Sequence, residues 1–299
     1  MSFIYARNIN NKLYVLADSK LTVSSNDEAM LIKAIGLENY NNIKSLGIIK
    51  NVIINNNICV ASAGMLEDYN ELLQNVDENQ IIEIEQICSI ALNIHIKNNQ
   101  RTDFVIAKAD SKCPVLYEVK DGKISEVSSS WLGSYDCFSA FQSMRNNPEL
   151  IQQLTGYMDD KMKNEFGEET IDSHAFKEVV NSNIDSSVGG NVIECKMHNV
   201  FFRYNECLTT CTEKPHALLP GGIVKLFDNV SDGGYTCHVY QSSDYYKMYI
   251  LQLNKGIIYQ PHINDKNYNH LRLPKLYEMN EDEFLKFNCI ENLGLIIQV

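Results

Sequence analysis

Ser2 and Asp18 bracket a stretch in which a nucleophile, a base and a carboxylate would meet. Two apolar runs, residues 3–6 and 13–17, flank Asn10-Asn11, a pair that tolerates the positive φ angles of a tight hairpin turn. Such a hairpin returns Asp18, at the end of the second strand, to the start of the first, where Ser2 lies. A serine alone is a weak nucleophile and needs an adjacent base; an N-terminal α-amine is one such base. Its unperturbed pKa is about 7.7–8.0, so a large part of it is neutral near pH 7. Removal of Met1 would therefore set a hydroxyl, a free α-amine and a carboxylate side by side. The ordinary reading of the same residues is a hairpin at a chain start with a serine there by chance, and the rest of the chain decides between the two.

The elements that would position these groups follow from periodicity and turn residues. After Asp18 comes a polar stretch to about residue 42 with a weak helical or loop pattern. Strand-like runs at 51–54 and 58–63, separated by Asn55-Asn56-Asn57, make a second hairpin that ends in Ser62-Ala63-Gly64. Apolar residues at helical spacing predict helices over 65–76 and 81–98, the latter carrying Ile84, Ile87, Cys88 and Leu92 on one side. Strands resume at 103–107 and 114–119, Asp121-Gly122 turns the chain into 123–127, and Trp131-Leu132-Gly133-Ser134 closes that strand set. Helical stretches fill 135–183, and a last hairpin pairs 192–195 with 200–204. This order is met by two antiparallel sheets with a pair of helices on each outer face, an α+β sandwich of four layers, α/β/β/α. Residues 205–299 read as a mostly β extension of unknown role, rich in tyrosine, with turns at 220–222 and 232–234 and a short acidic helix near 281–286.

Composition narrows the function. The 299 residues suffice for a large core, and 44% hydrophobic residues is ordinary for a globular chain. No apolar run approaches a membrane span and no signal peptide is apparent, so a cytoplasmic protein without membrane association is expected. A net charge of −12 without a basic patch argues against nucleic acid as a partner. The nine cysteines, at 59, 88, 113, 137, 195, 207, 211, 237 and 289, are odd in number, scattered and often within apolar runs, which suits reduced, buried thiols. Cys207, Cys211 and His216 with Cys237-His238 do not have a common zinc spacing, and no metal is expected. G-x-S-x-G, H-E-x-x-H, P-loop and G-x-G-x-x-G motifs are absent.

Residues 2–204 resemble a proteasome-type N-terminal-nucleophile hydrolase. That family starts its mature chain with Thr, sometimes Ser or Cys, and ends its second strand with an A-D-S-R-like motif. Here the motif is Ala17-Asp18-Ser19-Lys20, and the sixteen positions between Ser2 and Asp18 are the family's spacing. The family's lysine precedes an A-G pair by fourteen positions, as Lys50 precedes Gly64. Gly133-Ser134 corresponds to a Gly-Ser pair before a helix, and Asp185-Ser-Ser-Val-Gly189-Gly190 to a D-x-x-S-G-G motif whose aspartate supports that serine. Val188 stands where the family often has serine, and Ser187 is the neighbour that would have to replace it. A further departure is that Ser2 follows Met1 directly, with no propeptide. Taken singly, Asp18 reads as a strand-end cap, Lys50 as a solvated strand terminus, Gly64 as a helix-start glycine, Gly133-Ser134 as a turn and Asp185 as a helix end. Their joint order and spacing favour the family.

The resemblance implies a cofactor-free amide hydrolase of the four-layer fold, most simply a peptidase acting on a peptide or protein substrate and assembled as a homo-oligomer or with ring partners. Ser2 would be the nucleophile, Lys50 the charge that activates it, Asp18 the partner of Lys50, Gly64 the oxyanion donor, and Ser134 and Asp185 the relay that orients the amine. Thr22 would align an extended substrate as an added strand. Leu21, Ile48, Ser62 and Leu66 would line the pocket for the residue before the cleaved bond. Rival readings are an acylase or amidase of small amides on the same fold, and a non-catalytic structural or binding subunit.

Overall fold

The computed structural model describes residues 2–20, 22, 28, 33, 50–55, 57–79, 81, 83–190, 192–198 and 200–204, and beyond these the backbone of seven strands between Leu208 and Gln298. The first hairpin joins β1 (Phe3–Ile9) to β2 (Lys12–Asp18). Asn10 and Asn11 have φ of 52° and 60°, and Ile9 pairs with Lys12, so the turn is the tight two-residue form that an Asn pair favours. The arms are longer than the apolar runs alone suggest, because the ladder continues through Arg7-Asn8 opposite Leu13-Tyr14. β3 (Asn51–Asn55), β4 (Ile58–Ala63), β5 (Asp103–Lys108), β6 (Val115–Lys120) and β7 (Lys123–Glu126) follow, then β8 (Ser129–Gly133), β9 (Val192–His198) and β10 (Phe201–Tyr204). The helices are α1 (Leu66–Glu78), α2 (Ile84–Lys97), α3 (Tyr135–Arg145), α4 (Pro148–Thr155) and α5 (Glu168–Asn181).

Two antiparallel sheets result, one in the order β10-β9-β2-β1-β8 and one in the order β3-β4-β5-β6-β7. One strand is placed differently from expectation. β8 does not close the β5–β7 set but pairs with β1, Phe3 opposite Gly133. The chain changes sheets between two residues: Val127 N–H still donates to Leu116 O of the second sheet, whereas Ser128 O accepts from Asn8 N–H of the first.

Alternation along β1 and β2 explains the layering. Phe3, Tyr5, Tyr14 and Leu16 point to one side, where Cys137 and Phe141 of α3 and Ala175, Phe176, Val179 and Val180 of α5 bury them. The Phe3 ring stacks on Phe176 at 4.6 Å and meets Phe141 edge-on at 6.0 Å. Ile4, Ala6, Leu13, Val15 and Ala17 point to the other side, into a core shared with β3–β6 of the second sheet and with Leu72, Val76, Ile87 and Ala91 of α1 and α2. Both strands of the first hairpin are therefore buried on both faces, which is why their sequences are nearly continuous in apolar residues.

Beyond Tyr204 the strands run β11 (Leu208–Thr212), β12 (Ile223–Lys225), β13 (Tyr235–Val239), β14 (Tyr246–Ile250), β15 (Lys255–Tyr259), β16 (Lys275–Glu278) and β17 (Ile296–Gln298). They form a five-stranded sheet, β11-β13-β14-β15-β16, in which β11 and β13 are parallel, and a parallel pair β12-β17. The polar stretch before residue 42, the turns at 220–222 and 232–234, the acidic helix near 281–286 and the side chains of the Cys207–His238 group lie outside the described residues. Of the described cysteines, Cys59, Cys88, Cys137 and Cys195 are buried free thiols, while Cys113 is exposed, contrary to the expectation for the whole set. Among the described residues no helix is long and apolar enough to cross a membrane, and no group of three or more His, Cys, Asp or Glu side chains is placed to hold a metal ion.

Charges tie the first sheet to α5. Asp172, fully buried, accepts from Tyr14 Oη at 2.6 Å, Arg145 Nε at 2.6 Å and Arg7 Nη1 at 3.0 Å. Glu194 of β9 sits against Lys196 at 2.7 Å, Lys177 at 3.2 Å and the Ser173 hydroxyl. Although burial alone would raise it, the two lysines hold the Glu194 carboxyl at about 2, well below its ordinary 4.5. A depressed carboxylate contributes stability that is complete above the unfolded value and is lost as pH falls through the folded one. Thermal unfolding followed against pH should therefore show stability draining away between about pH 4.5 and 2, by about 3 kcal/mol from this group. Glu194→Gln should remove that part of the dependence.

Candidate active site

The site is assembled on the Asp18 carboxylate. Asp18 ends β2, has no exposed surface, and accepts four kinds of donor. Phe3 N–H reaches Oδ1 at 2.7 Å, Lys20 N–H reaches Oδ2 at 3.2 Å, Gly189 N–H reaches Oδ2 at 3.4 Å, and Lys50 Nζ lies 2.8 Å from both oxygens. Lys50, immediately before β3, is 4% exposed, so the pair is an ion pair in the interior and not a solvated strand terminus. Burial is the largest influence on both members, pushing the Asp18 carboxyl up and the Lys50 ammonium down, each opposed by the other's charge. Hydrogen bonds from three backbone N–H groups favour the ionised carboxylate, and the ionised carboxylate keeps Lys50 charged.

Ser2, buried beside this pair, is bonded from its carbonyl: Ser134 N–H donates to Ser2 O at 2.9 Å. Gly133 makes this approach possible. Its φ is +92°, and a Cβ there would lie 1.8 Å from Ser2 O, so any side chain would displace the start of the chain. Ser134 is the N-cap of α3, its Oγ accepting from Cys137 N–H at 3.4 Å. The Ser134 hydroxyl lies near Asp185, and with Ser187 it holds the Asp185 carboxyl below the usual carboxylate range.

Ser2, Asp18, Lys50, Ser134 and Asp185, spread over 184 positions of the chain, thus belong to one connected set of contacts. Gly64, at the end of β4, has φ +143°, and a Cβ would fall 2.4 Å from Arg101 O and 2.5 Å from Thr102 Oγ1. Packing alone therefore demands glycine at that position. Ser62 is buried and its N–H donates to Lys50 O at 3.2 Å, which places the β4 end beside Lys50. Leu66, the first residue of α1, is partly exposed, as is its neighbour Met65. Thr22 is exposed, and its hydroxyl donates to Ser187 O at 2.9 Å. Leu21, Ile48 and Met1 lie outside the described residues.

Several contributors were not singled out from sequence. The Phe3 and Gly189 amides carry no sequence signal, since any residue supplies an N–H. Asn51 sends its side-chain amide to Val15 O at 3.0 Å and Ile193 O at 2.9 Å, a link between the sheets that its place in an apolar run conceals. Lys20 donates from Nζ to Ser186 O at 2.7 Å. Ser187, by contrast, stands out in the sequence as the neighbour that would replace the hydroxyl missing at Val188, and its place two positions after an aspartate suits a side-chain-to-backbone turn.

Neither a scan against protein-family models nor a search of curated proteins returns a match to this chain. The geometry stands on its own residues.

Removing one member of a buried ion pair leaves an uncompensated charge, whereas replacing both with apolar groups is often nearly neutral. Asp18→Ala should therefore cost about 3–5 kcal/mol in denaturant unfolding, and Asp18→Leu combined with Lys50→Met should recover most of that loss. Equal costs for the single and double variants would show that the two residues do not act as a pair.

Proposed function

We propose that the protein is an amide-bond hydrolase whose nucleophile is the Ser2 hydroxyl, exposed with its α-amine by removal of Met1. In this reading residues 1–204 are a four-layer α/β/β/α N-terminal-nucleophile domain of the proteasome type, and 205–299 are an extension to it. One observation carries the proposal: Asp18 binds Lys50 Nζ and the amide next to Ser2 together, while Ser134 N–H, with Asp185 nearby, holds the Ser2 carbonyl. A strand end, a lysine before β3 and a helix cap would have no common reason to converge on the second residue of a chain unless that residue had work to do.

The chemistry follows from these groups. Ser2 Oγ attacks the substrate carbonyl carbon and its proton passes to the α-amine. Lys50 stabilises the negative charge that develops, and the Gly64 N–H receives the oxyanion. Collapse breaks the C–N bond, the leaving amine takes the proton back from the α-ammonium, and the acyl group stays on Ser2 as an ester. Water then attacks the ester, the α-amine takes its proton, and the second collapse frees the acid and restores the hydroxyl. Asp18 keeps Lys50 charged and in place; Ser134 and Asp185 orient the amine. The substrate is an extended peptide laid along the segment at Thr22, with Ser62 and Leu66 at the pocket for the residue before the cleaved bond. The protein acts in the cytoplasm, as a homo-oligomer, without cofactor, nucleic acid or membrane.

Ser2→Ala should abolish turnover of fluorogenic peptides with little change in thermal melting, and intact mass of the active protein should show the chain beginning at Ser2. Peptides with large apolar residues before the cleaved bond should be preferred over acidic ones and over small acyl amides. The pH profile of kcat/KM should be a bell. Activity rises as the α-amine loses its proton, near about 7.7–8.0 for an unperturbed amine. It falls as Lys50 is neutralised, and because burial pushes Lys50 down, that limb should lie below the ordinary lysine value of about 10.4. A flat profile from pH 6 to 10 would contradict both assignments.

A further inference from the structure

Asp185 is held by a neighbour that the family pattern does not use. Val188, where that pattern places a hydroxyl, is 2% exposed and packs its side chain into the core between the first sheet and helices α3 and α5. Ser187 points the other way. Its Oγ donates to Asp185 Oδ1 at 2.6 Å and its N–H donates to the same oxygen at 2.8 Å, while Val188 N–H donates to Asp185 O at 3.0 Å. Both donors act on one oxygen of the carboxyl, whose charged form the nearby Ser134 hydroxyl also favours.

Ser187 is itself fixed from the opposite side of the site. Thr22 Oγ1 donates to Ser187 O at 2.9 Å, Lys20 Nζ to Ser186 O at 2.7 Å and Lys20 N–H to Gly189 O at 3.0 Å, while Gly189 N–H bonds Asp18. The loop from Asp185 to Gly189 is thus docked onto residues 18–22 by both ends of its backbone.

We propose that Ser187 is a positioning residue of the reaction centre: its hydroxyl orients the Asp185 carboxylate toward Ser134, and Thr22 keeps Ser187 in register. This rests on the hydrolase reading above. The role is positional because Ser187 acts through Asp185. A carboxylate that turns freely about its side chain presents its charge to the Ser134 hydroxyl only part of the time. Two donors from one residue, one from the backbone and one from the side chain, restrict that rotation, and only the second can be removed by substitution.

The charged and titratable groups around Asp185 are few. Cys137 of α3 faces it, with a thiol that burial pushes up. Asp18, paired with Lys50, and Lys20 lie on the facing segment, and the processed chain adds the Ser2 α-amine. Deleting the Ser187 hydroxyl leaves all of them in place, so its effect is separable.

The test compares Ser187→Ala, Ser187→Thr and Thr22→Val in the full-length protein. Carboxyl resonances of Asp185 followed by NMR against pH report the contact without reference to activity. In Ser187→Ala the Asp185 titration should move up toward the ordinary aspartate value of about 3.9, and in Ser187→Thr it should stay low. With a peptide substrate, Ser187→Ala should lower kcat about tenfold with KM within about twofold, a loss of roughly 1.4 kcal/mol of transition-state stabilisation, and Ser187→Thr should restore it. Thr22→Val should give a smaller loss of the same kind. An unmoved Asp185 titration in Ser187→Ala would overturn the proposal, as would a loss of kcat that threonine does not restore. A wild-type protein without Ser2-dependent hydrolysis would overturn the hydrolase reading instead, and the titration would still decide whether Ser187 holds the carboxylate.

Discussion

Asp18 and Lys50 bury a full charge pair at the seam between two sheets, and the surrounding structure is arranged so that this can be done. Asp18 ends a strand of the first sheet and Lys50 opens a strand of the second, so the pair forms only when the sheets are stacked. The sheets approach closely at this end: Lys50 reaches Asp18, and the side-chain amide of the adjacent Asn51 reaches two carbonyls of the first sheet. Every donor on Asp18 comes from a different part of the chain: the first strand, the segment after the second, the loop at Gly189 and the start of β3. Buried polar groups require partners, and here that requirement is what draws the candidate site together.

A buried ion pair is weak evidence of a need for stability, because apolar residues of similar volume usually serve as well or better. Its position carries more information than its existence. The pair lies under the start of the chain, bonded to the amide that follows Ser2, and burial pushes the Lys50 ammonium down against the opposing charge of Asp18. The Asp172 and Glu194 groups make the contrast. They too are buried carboxylates matched by cations, but they join strands to α5. Charge is used twice on the same sheet, once to anchor a helix and once beside Ser2.

Much of this arrangement was legible in the sequence where local rules act. Asn10-Asn11 fixes the first hairpin because the pair accepts positive φ, and the alternation of Phe3, Tyr5, Tyr14 and Leu16 against Ile4, Ala6, Val15 and Ala17 marks two buried faces. The family resemblance singled out Asp18, Lys50, Ser134 and Asp185, the first two by their spacing. Legibility failed where non-local pairing decides. Nothing in residues 129–133 states that they join β1 and not β7, because a strand's pattern does not name its neighbour. The sequence left open whether Ser187 replaces the hydroxyl missing at Val188; the packing of Val188 against α3 and α5 and the Ser187–Asp185 bond show which of the two faces the carboxylate. The buried character of Lys50 escaped composition and position alike, as lysine is ordinarily a surface residue.

The account turns on Ser2 being at once a hydroxyl nucleophile and a free amine, and a peptide epoxyketone tests both together. Its ketone carbon takes the hydroxyl and its epoxide is opened by the amine, so a ring closes only on a residue that offers the two groups. The protein should gain the full mass of one reagent molecule, on a chain that begins at Ser2, with the adduct confined to the N-terminal peptide and absent from Ser2→Ala. An unlabelled protein, or a label carried elsewhere in the chain, would contradict the central claim.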